Sequence, residues 1–215
     1  MPPGRVARSV RGATRPRRRI RLDNDQRRAQ LLELAKRAFS DRSYDEVSID
    51  DLAKVAGISK DLLYHYFPTK RDLYVAGLHE IADALVDAVI QISEDLPPID
   101  RIRHSVDAYL EHISRHSRAF VALMRGGIGS DPEVAAVVDS VRTRLFDRLL
   151  AGSSLATLLA GDARFETAIR GWMGFVEAAS IDWCGNPRMS REELRDLLAK
   201  VLLEILKVIA PAMVR

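Results

Sequence analysis

An all-α chain is predicted by three features of the 215-residue sequence. Apolar residues recur at three- and four-residue spacing along most of its length, which is the helical period. Serine, threonine or aspartate stands before many of these runs, and glycine or proline separates them. No stretch alternates apolar and polar residues as a half-buried strand would.

The elements follow in order. Residues 1–21 carry Arg5, Arg8, Arg11, Arg15, Arg17, Arg18, Arg19 and Arg21 without one acidic residue, so residues 1–22 are expected to form an unstructured basic arm. Asp23-Asn24-Asp25 offers helix caps, and Leu31, Leu34, Ala35, Ala38 and Phe39 then mark a first helix ending near Asp41. Ser48 begins a second, with Asp51 as its acidic capping partner and Val47 and Leu52 as a hydrophobic staple. Ser59 begins a third, with Ile58 and Leu63 repeating the staple. Gly57 stands between them, where a left-handed backbone is cheap. Two capped starts eleven residues apart leave room for two helical turns and a tight bend, the spacing of a helix-turn-helix.

Pro68 closes the third helix and Thr69 opens a fourth, expected to reach Glu94 and to turn Leu73, Gly77, Ile81, Ala84, Leu85, Ala88 and Ile92 inward. At 1.5 Å per residue it would be roughly 36 Å long, enough to join two domains. Beyond Pro97-Pro98, helical patterns cover about 99–116, 117–126, 131–151, 162–184 and 190–209. Gly126-Gly127-Ile128-Gly129, Gly152-Ser153-Ser154 and Gly185-Asn186-Pro187 separate them, and Asp131-Pro132 and Ser190-x-x-Glu193 read as helix starts. The expected division is an arm (1–22), a helix-turn-helix head (23–72) and a helical body (73–215).

Charge and composition narrow the function. Once the arm's eight arginines are set aside, 25 basic residues face all 30 acidic ones, so the basic character belongs to the arm. A lone Cys184 forbids an intrachain disulfide. The basic start lacks a secretory apolar core, and the longest apolar run, about residues 149–161, is too short to span a bilayer. A cytoplasmic protein without a membrane partner is the expectation. No Ser-His-Asp set, phosphate loop or cofactor glycine motif is present, so neither an enzyme nor a cofactor is expected. His112 and His116 stand four apart, but without a third ligand they read as surface histidines rather than a metal site.

The third helix carries the strongest functional signal. Leu63 and Phe67, four apart, should be buried, which leaves Lys60, Tyr64 and His65 on the other side. Lysine, tyrosine and histidine offer hydrogen bonds to phosphates and base edges. The helix starts at Ser48 and Ser59 present free N–H groups suited to phosphate, although both serines serve equally as plain caps. Lys70 fits a backbone clamp, and Tyr66 fits core and contact alike.

Residues 28–73 resemble the DNA-binding domain of the tetracycline-repressor (TetR) family. The likeness rests on Ala35-x-x-Ala38-Phe39, Tyr44, Val47-Ser48-Ile49, Asp51-Leu52-Ala53, Ala56-Gly57-Ile58-Ser59-Lys60, Leu63-Tyr64-His65-Tyr66-Phe67 and Lys70-x-Asp72-Leu73. It implies that Ser48, Ser59, Lys60, Tyr64, His65, Tyr66 and Lys70 occupy DNA-contact positions. It further implies a homodimeric transcriptional regulator, a repressor that leaves a pseudo-palindromic operator on double-stranded DNA when a small molecule binds. Asp61 and Leu62 depart from the family, which commonly has glycine and a small hydroxylic residue there. The arginine arm would add electrostatic attraction or read the minor groove.

The last two helices carry more apolar surface than one seam needs. Gly171, Gly174 and Ala178 form a small-residue track, and Leu198, Leu202 and Ile205 belong to the final apolar helix. Together they are the expected dimer interface. The family resemblance also implies a cavity beneath the fourth helix, lined by Tyr109, Phe120, Met124, Trp172, Met173, Phe175 and Glu177, for a largely apolar effector. Each of these residues also suits simple core packing. The alternative is a constitutive DNA-binding or architectural protein whose body only dimerises.

Overall fold

Helix formation begins earlier than the capping cluster at Asp23 predicts. In the computed structural model, which describes residues 17–90, 96–125, 127–150 and 161–209, α1 spans Arg17–Asp41 and runs straight through that cluster. No glycine or proline stands between Pro16 and Gly57, and arginine is a good helix former, so three weak formers inside a long helix do not stop it. The expected arm is therefore helical from Arg17 onward. Its first sixteen residues, Ile92, Gly126 and the Gly152-Ser153-Ser154 separator lie outside the described residues.

The head follows the predicted grammar. Helix α2 (Ile49–Ala56) is capped by the Ser48 hydroxyl, which accepts from the Asp51 N–H at 3.4 Å. Gly57 ends it at φ 66°, and the Ile58 N–H closes back on the Ala53 carbonyl at 3.0 Å. Helix α3 (Lys60–Tyr66) starts at Ser59, whose hydroxyl accepts from the Leu62 N–H at 3.1 Å. Helix α4 (Lys70–Ile90) opens with a reciprocal cap: Asp72 N–H to Thr69 Oγ1 and Thr69 N–H to Asp72 Oδ2, both 3.0 Å.

The body adds α5 (Pro98–Arg115), α6 (Ser117–Arg125), a 3-10 turn (Gly127–Ser130), α7 (Pro132–Leu150), α8 (Ala163–Gly185) and α9 (Arg191–Ile209). Asp131 caps α7 and Asp162 caps α8. A full Ser190–Glu193 box opens α9, at 2.7 and 3.1 Å. The described residues hold helices and no strand, as predicted.

Helix α4 joins the two parts because it packs on both sides, against α1 in the head and against α5 and α7 in the body. That double packing corrects its expected stripe. The buried residues are Leu73, Tyr74, Val75, Gly77, Leu78, Ala82, Val86 and Val89, a surface that keeps the expected Leu73 and Gly77 but wraps around the helix rather than following one face of it. At Gly77 a Cβ would stand 3.4 Å from that of Ala35, so the glycine permits the close approach of α1 and α4.

Two apolar clusters result. The head cluster gathers Leu31, Ala35, Phe39, Val47, Leu52, Leu63, Phe67 and Tyr74, and reaches Val134 and Val137 in α7. Tyr74 meets Phe39 and Tyr44 edge-on, at 4.9 and 5.1 Å between ring centroids. The second cluster gathers Val106, Leu110, Ile113, Ile169, Trp172, Leu194, Leu198 and Leu202. Leu198 and Leu202, expected at a dimer interface, are 0% and 1% exposed inside this one chain, so they are core residues. On α9 the exposed large apolar side chains are Leu197 and Val208, while Val201 and Ile205 are partly buried against this cluster.

Candidate nucleic-acid interface and internal cavity

Buried Leu63 and Phe67 fix the roll of α3, which leaves Ser59, Lys60 and His65 exposed and Tyr64 half-buried. Each predicted side chain has a definite setting. Lys60 places its Nζ 3.0 Å from the Asp50 carboxylate on the neighbouring helix, and that bond, with the charge of Asp50, raises its pKa. The His65 ring stands edge-on to Tyr66 at 5.4 Å. Tyr66 donates its hydroxyl proton to Asn24 Oδ1 at 3.2 Å, tying the end of α3 to the early part of α1. Lys70 lies over the Tyr44 ring with its Nζ 4.3 Å from the centroid. Ser48 is half-buried at the start of α2. Tyr66 and Lys70 thus hold structure together and Tyr64 packs partly against the head cluster, while Ser59, Lys60 and His65 are exposed.

Asp50 was not singled out in the sequence, and Asn24 was read there only as part of a capping cluster. The only sequence sign for Asp50 is its charge, opposite to that of Lys60 ten positions on. Asn24 gives no such sign, because it acts across 42 positions of sequence.

Ion pairs dock the head on the body. Arg71, in the first turn of α4, takes Asp131 on two nitrogens at 2.6 Å each and Glu133 on the third at 2.7 Å. The bidentate Arg71 contact holds the Asp131 carboxyl down at about 2, while Asp131 also caps α7. Arg118 at the start of α6 pairs with Glu46 in the head, and His116 Nδ1 stands 3.4 Å from Asp41 at the end of α1.

Between the two apolar clusters lies a cavity of about 180 Å3. Phe39 and Ser40 of α1 wall it from the head, and Tyr74 and Leu78 from the joining helix α4, so it is not confined to the body. Of the seven predicted lining residues, Tyr109, Phe120, Met124, Trp172, Met173 and Glu177 meet there. Phe175 does not: it is 39% exposed on the outer face of α8, beside exposed Gly171, Gly174 and Ala178. Successive residues of a helix are about 100° apart, so exposed Phe175 directly precedes buried Val176, and the wide apolar stripe concealed which side Phe175 takes.

Polar groups at the cavity are few. Arg142 grips Glu177 through two nitrogens at 2.7 and 2.8 Å and reaches Asp139 with a third at 2.7 Å. The Tyr109 hydroxyl is buried and near Ser180, but the two do not meet in hydrogen-bond geometry, and both lack a partner. Burial, then the charge of Glu177, pushes the Tyr109 pKa well up. His112 and His116 line the wall with ring centroids 5.3 Å apart. They are half-buried, which corrects the reading of both as surface residues: α6 and the end of α1 cover this end of α5. Burial foremost, helped by His116, Arg115 and Lys36, pushes His112 down to about 4, so its ring is neutral at physiological pH. No group of three metal-ligating side chains occurs among the described residues. Nor is any described helix long and apolar enough to cross a membrane.

Known proteins resemble both parts. Residues 31–76 match the family described as bacterial regulatory proteins, tetR family, and residues 98–204 match the tetracyclin repressor-like C-terminal domain. A crystal structure of a tetR-family transcriptional regulator from Streptomyces coelicolor is 36% identical and superposes with a TM-score of 0.79, over 87% of this chain and 83% of that one. The transcriptional activator FasR of Mycolicibacterium smegmatis is 37% identical over 133 residues, 60% of this chain and 61% of FasR. The regulator EthR of the same organism is 32% identical over 105 residues, 47% of this chain and 48% of EthR. The chain thus spans between about half and less than two thirds of the length of these two curated relatives.

Proposed function

This chain belongs to the TetR family of DNA-binding transcriptional regulators, and from that premise we propose that it acts as a homodimeric repressor released from a pseudo-palindromic operator by a small apolar effector. Lys60, Tyr64 and His65 reach the major groove, Ser48 and Ser59 offer helix starts to phosphates, and Lys70 and Tyr66 clamp the backbone after leaving their resting partners. The arginines of residues 1–21 add phosphate attraction. Two copies pair through the outer faces of α8 and α9. Gly171, Gly174 and Ala178 let the helices approach, and Leu197, Ile205 and Val208 supply apolar area left uncovered in one chain. The pairing sets two heads about one helical turn, roughly 34 Å, apart.

One observation carries the effector reading: the cavity is walled by the head and the body together. A molecule filling it touches α1 and α4 as well as α5 to α8, so its binding energy depends on how the head sits. A thousandfold loss of operator affinity needs about 4 kcal/mol of differential binding. Mapping bound DNA across the genome, then titrating the operator with purified protein with and without candidate effectors, tests this. Specific binding that no effector weakens would leave the architectural reading instead. Light scattering that finds a monomer at micromolar concentration would remove the dimer.

A further inference from the structure

We infer that α7 is the strut that sets how far apart the two reading heads stand, pinned to the head by Arg71–Asp131 and to the dimerisation helix α8 by Arg142–Glu177. The inference rests on the dimer reading above and names the residues through which pairing fixes the spacing of the heads.

The need for a strut follows from the way head and body are joined. Two parts of one chain move relative to each other unless their interface holds them. Helix α4 is a single rod running from one to the other, and one rod leaves rotation about its own axis open. A second attachment away from that axis closes it, and α7 supplies one. Val134 and Val137, in its first two turns, are 0% and 3% exposed inside the head cluster. Val138, Val141 and Leu145 then carry the same helix along the cavity.

Two points of this helix are gripped in the same manner. Arg71, in the first turn of α4, takes both oxygens of Asp131 at 2.6 Å, and Asp131 Oδ1 accepts from the N–H groups of Glu133 and Val134 at 3.0 and 3.4 Å. The residue that caps α7 is thus the residue the head holds. Eleven positions on, Arg142 takes both oxygens of Glu177 at 2.7 and 2.8 Å. That interval is roughly 16 Å of helix. A carboxylate held on both oxygens by a planar guanidinium resists rotation as well as separation, which a point charge does not. The Asp131 and Glu177 side chains are 19% and 20% exposed, so water competes weakly for either.

Placement gives the two pins their consequence. Glu177 stands on α8 beside exposed Phe175 and Ala178, on the helix whose outer face meets the partner copy. Arg71 directly follows Lys70, the expected clamp on the DNA backbone. The strut therefore leads from the element that pairing fixes to the element that must meet the duplex. Val138 and Val141 lie between the pins and line the cavity, so a guest that displaces them acts on the strut itself.

The test uses the full-length protein with one spin label per chain, at Val55→Cys in a Cys184→Ser background; Val55 is 72% exposed on α2. Pulsed electron resonance reads the distance between the labels of the two copies. Asp131→Asn keeps a cap for α7 and leaves Arg71 in place, while Arg71→Lys keeps the charge and loses the two-oxygen grip. Each should broaden the distance distribution, and Glu177→Gln should do so from the other pin. Urea midpoints should move little, because partly exposed ion pairs contribute little to folding. On operator duplexes whose half-sites are moved by a base pair or two, the three variants should lose about fivefold of the discrimination against wrong spacing. An unchanged distribution in Asp131→Asn or in Glu177→Gln would overturn the inference. So would an Arg71→Lys protein that matches the unsubstituted one, since charge alone would then suffice. Asp131→Asn changing affinity equally for every duplex, random ones included, would make Arg71 a phosphate contact and overturn it too. A labelled protein that shows no distance between copies lacks the pairing, and the dimer reading then fails and takes this inference with it.

Discussion

In the head, Leu63, Phe67, Phe39 and Val47 are each 2% exposed or less, and even exposed charges such as Lys60 are held by a partner. Across the Tyr74 and Leu78 wall, the body leaves about 180 Å3 open beside an orphaned Tyr109 hydroxyl. The first region fixes positions to present a surface. The second leaves room. A reader of DNA must be preorganised before it binds, whereas a sensor responds only if the ligand changes its energy. The shared helix α4 makes the two arrangements one system, since it belongs to both cores.

The contrast is broken most forcefully by truncation in each region. Leu63→Ala removes a fully packed side chain from the head and should cost about 2 to 5 kcal/mol, with loss of DNA binding. Met124→Ala enlarges an existing hollow and should cost less, about 1 to 2 kcal/mol, because fewer contacts are lost. Urea unfolding of the two variants measures the difference. Equal costs would mean that the cavity is closed and packed in solution.

Next in size is the loss of a reading contact. Lys60→Ala should weaken operator binding by about 1 to 3 kcal/mol while leaving the melting temperature nearly unchanged, since a surface ion pair contributes about 0 to 1 kcal/mol to folding. Fluorescence anisotropy with operator and random duplex, alongside calorimetry, checks both halves. A large fall in stability with unchanged DNA affinity would move Lys60 from the reading edge to the scaffold.

The two regions were also unequally legible in the sequence. The head is built from local rules, so Ser48, Gly57, Ser59 and Thr69 announced its helix limits, and the four-residue interval from Leu63 to Phe67 announced its buried side. The body depends on which faces meet far along the chain. Leu198 and Leu202 were apolar in a helix with surplus apolar residues, and periodicity alone could not say which seam stays within the chain. Phe175 was assigned to the wrong side of α8 for the same reason. The Arg142–Glu177 and Arg71–Asp131 pairs span 35 and 60 positions and leave no trace in local pattern. The start of α1 misled in the opposite sense: a capping cluster was present, and the helix passed through it because nothing there breaks a helix.

A pH titration sharpens the contrast from the body's side. His112 sits at about 4 in the folded chain against an ordinary 6.5, with burial the main cause and His116, Arg115 and Lys36 adding repulsion. Below 6.5 the unfolded chain takes up a proton that the folded chain refuses. Stability is therefore whole above that value and drains away as pH falls toward 4. Allowing for partial solvent screening, the loss should be about 1 to 2 kcal/mol. His112→Phe should flatten this part of the pH dependence, as read by denaturant midpoints; a curve unchanged by the substitution would place the ring in water.

The smallest effect probes the head's restraint of its own charge. Asp50 holds Lys60 at 3.0 Å, yet both side chains are about half exposed, so the pair adds little to folding. Its consequence lies in binding. An ammonium already paired gains less from any passing phosphate, which lowers affinity for random DNA without preventing a well-placed operator contact. Asp50→Asn should therefore raise affinity for random duplex about three- to tenfold, and raise operator affinity less, so that discrimination falls. If the released ammonium neutralises one further phosphate, the slope of log affinity against log salt should steepen by about 0.9. Removing any carboxylate near DNA would also raise affinity, so the comparison must be repeated with Lys60→Ala present. There the same substitution should have a markedly smaller effect, because no ammonium remains to be released. An equal effect in both backgrounds would make Asp50 a simple source of repulsion, and the head would then hold its shape without holding its charges.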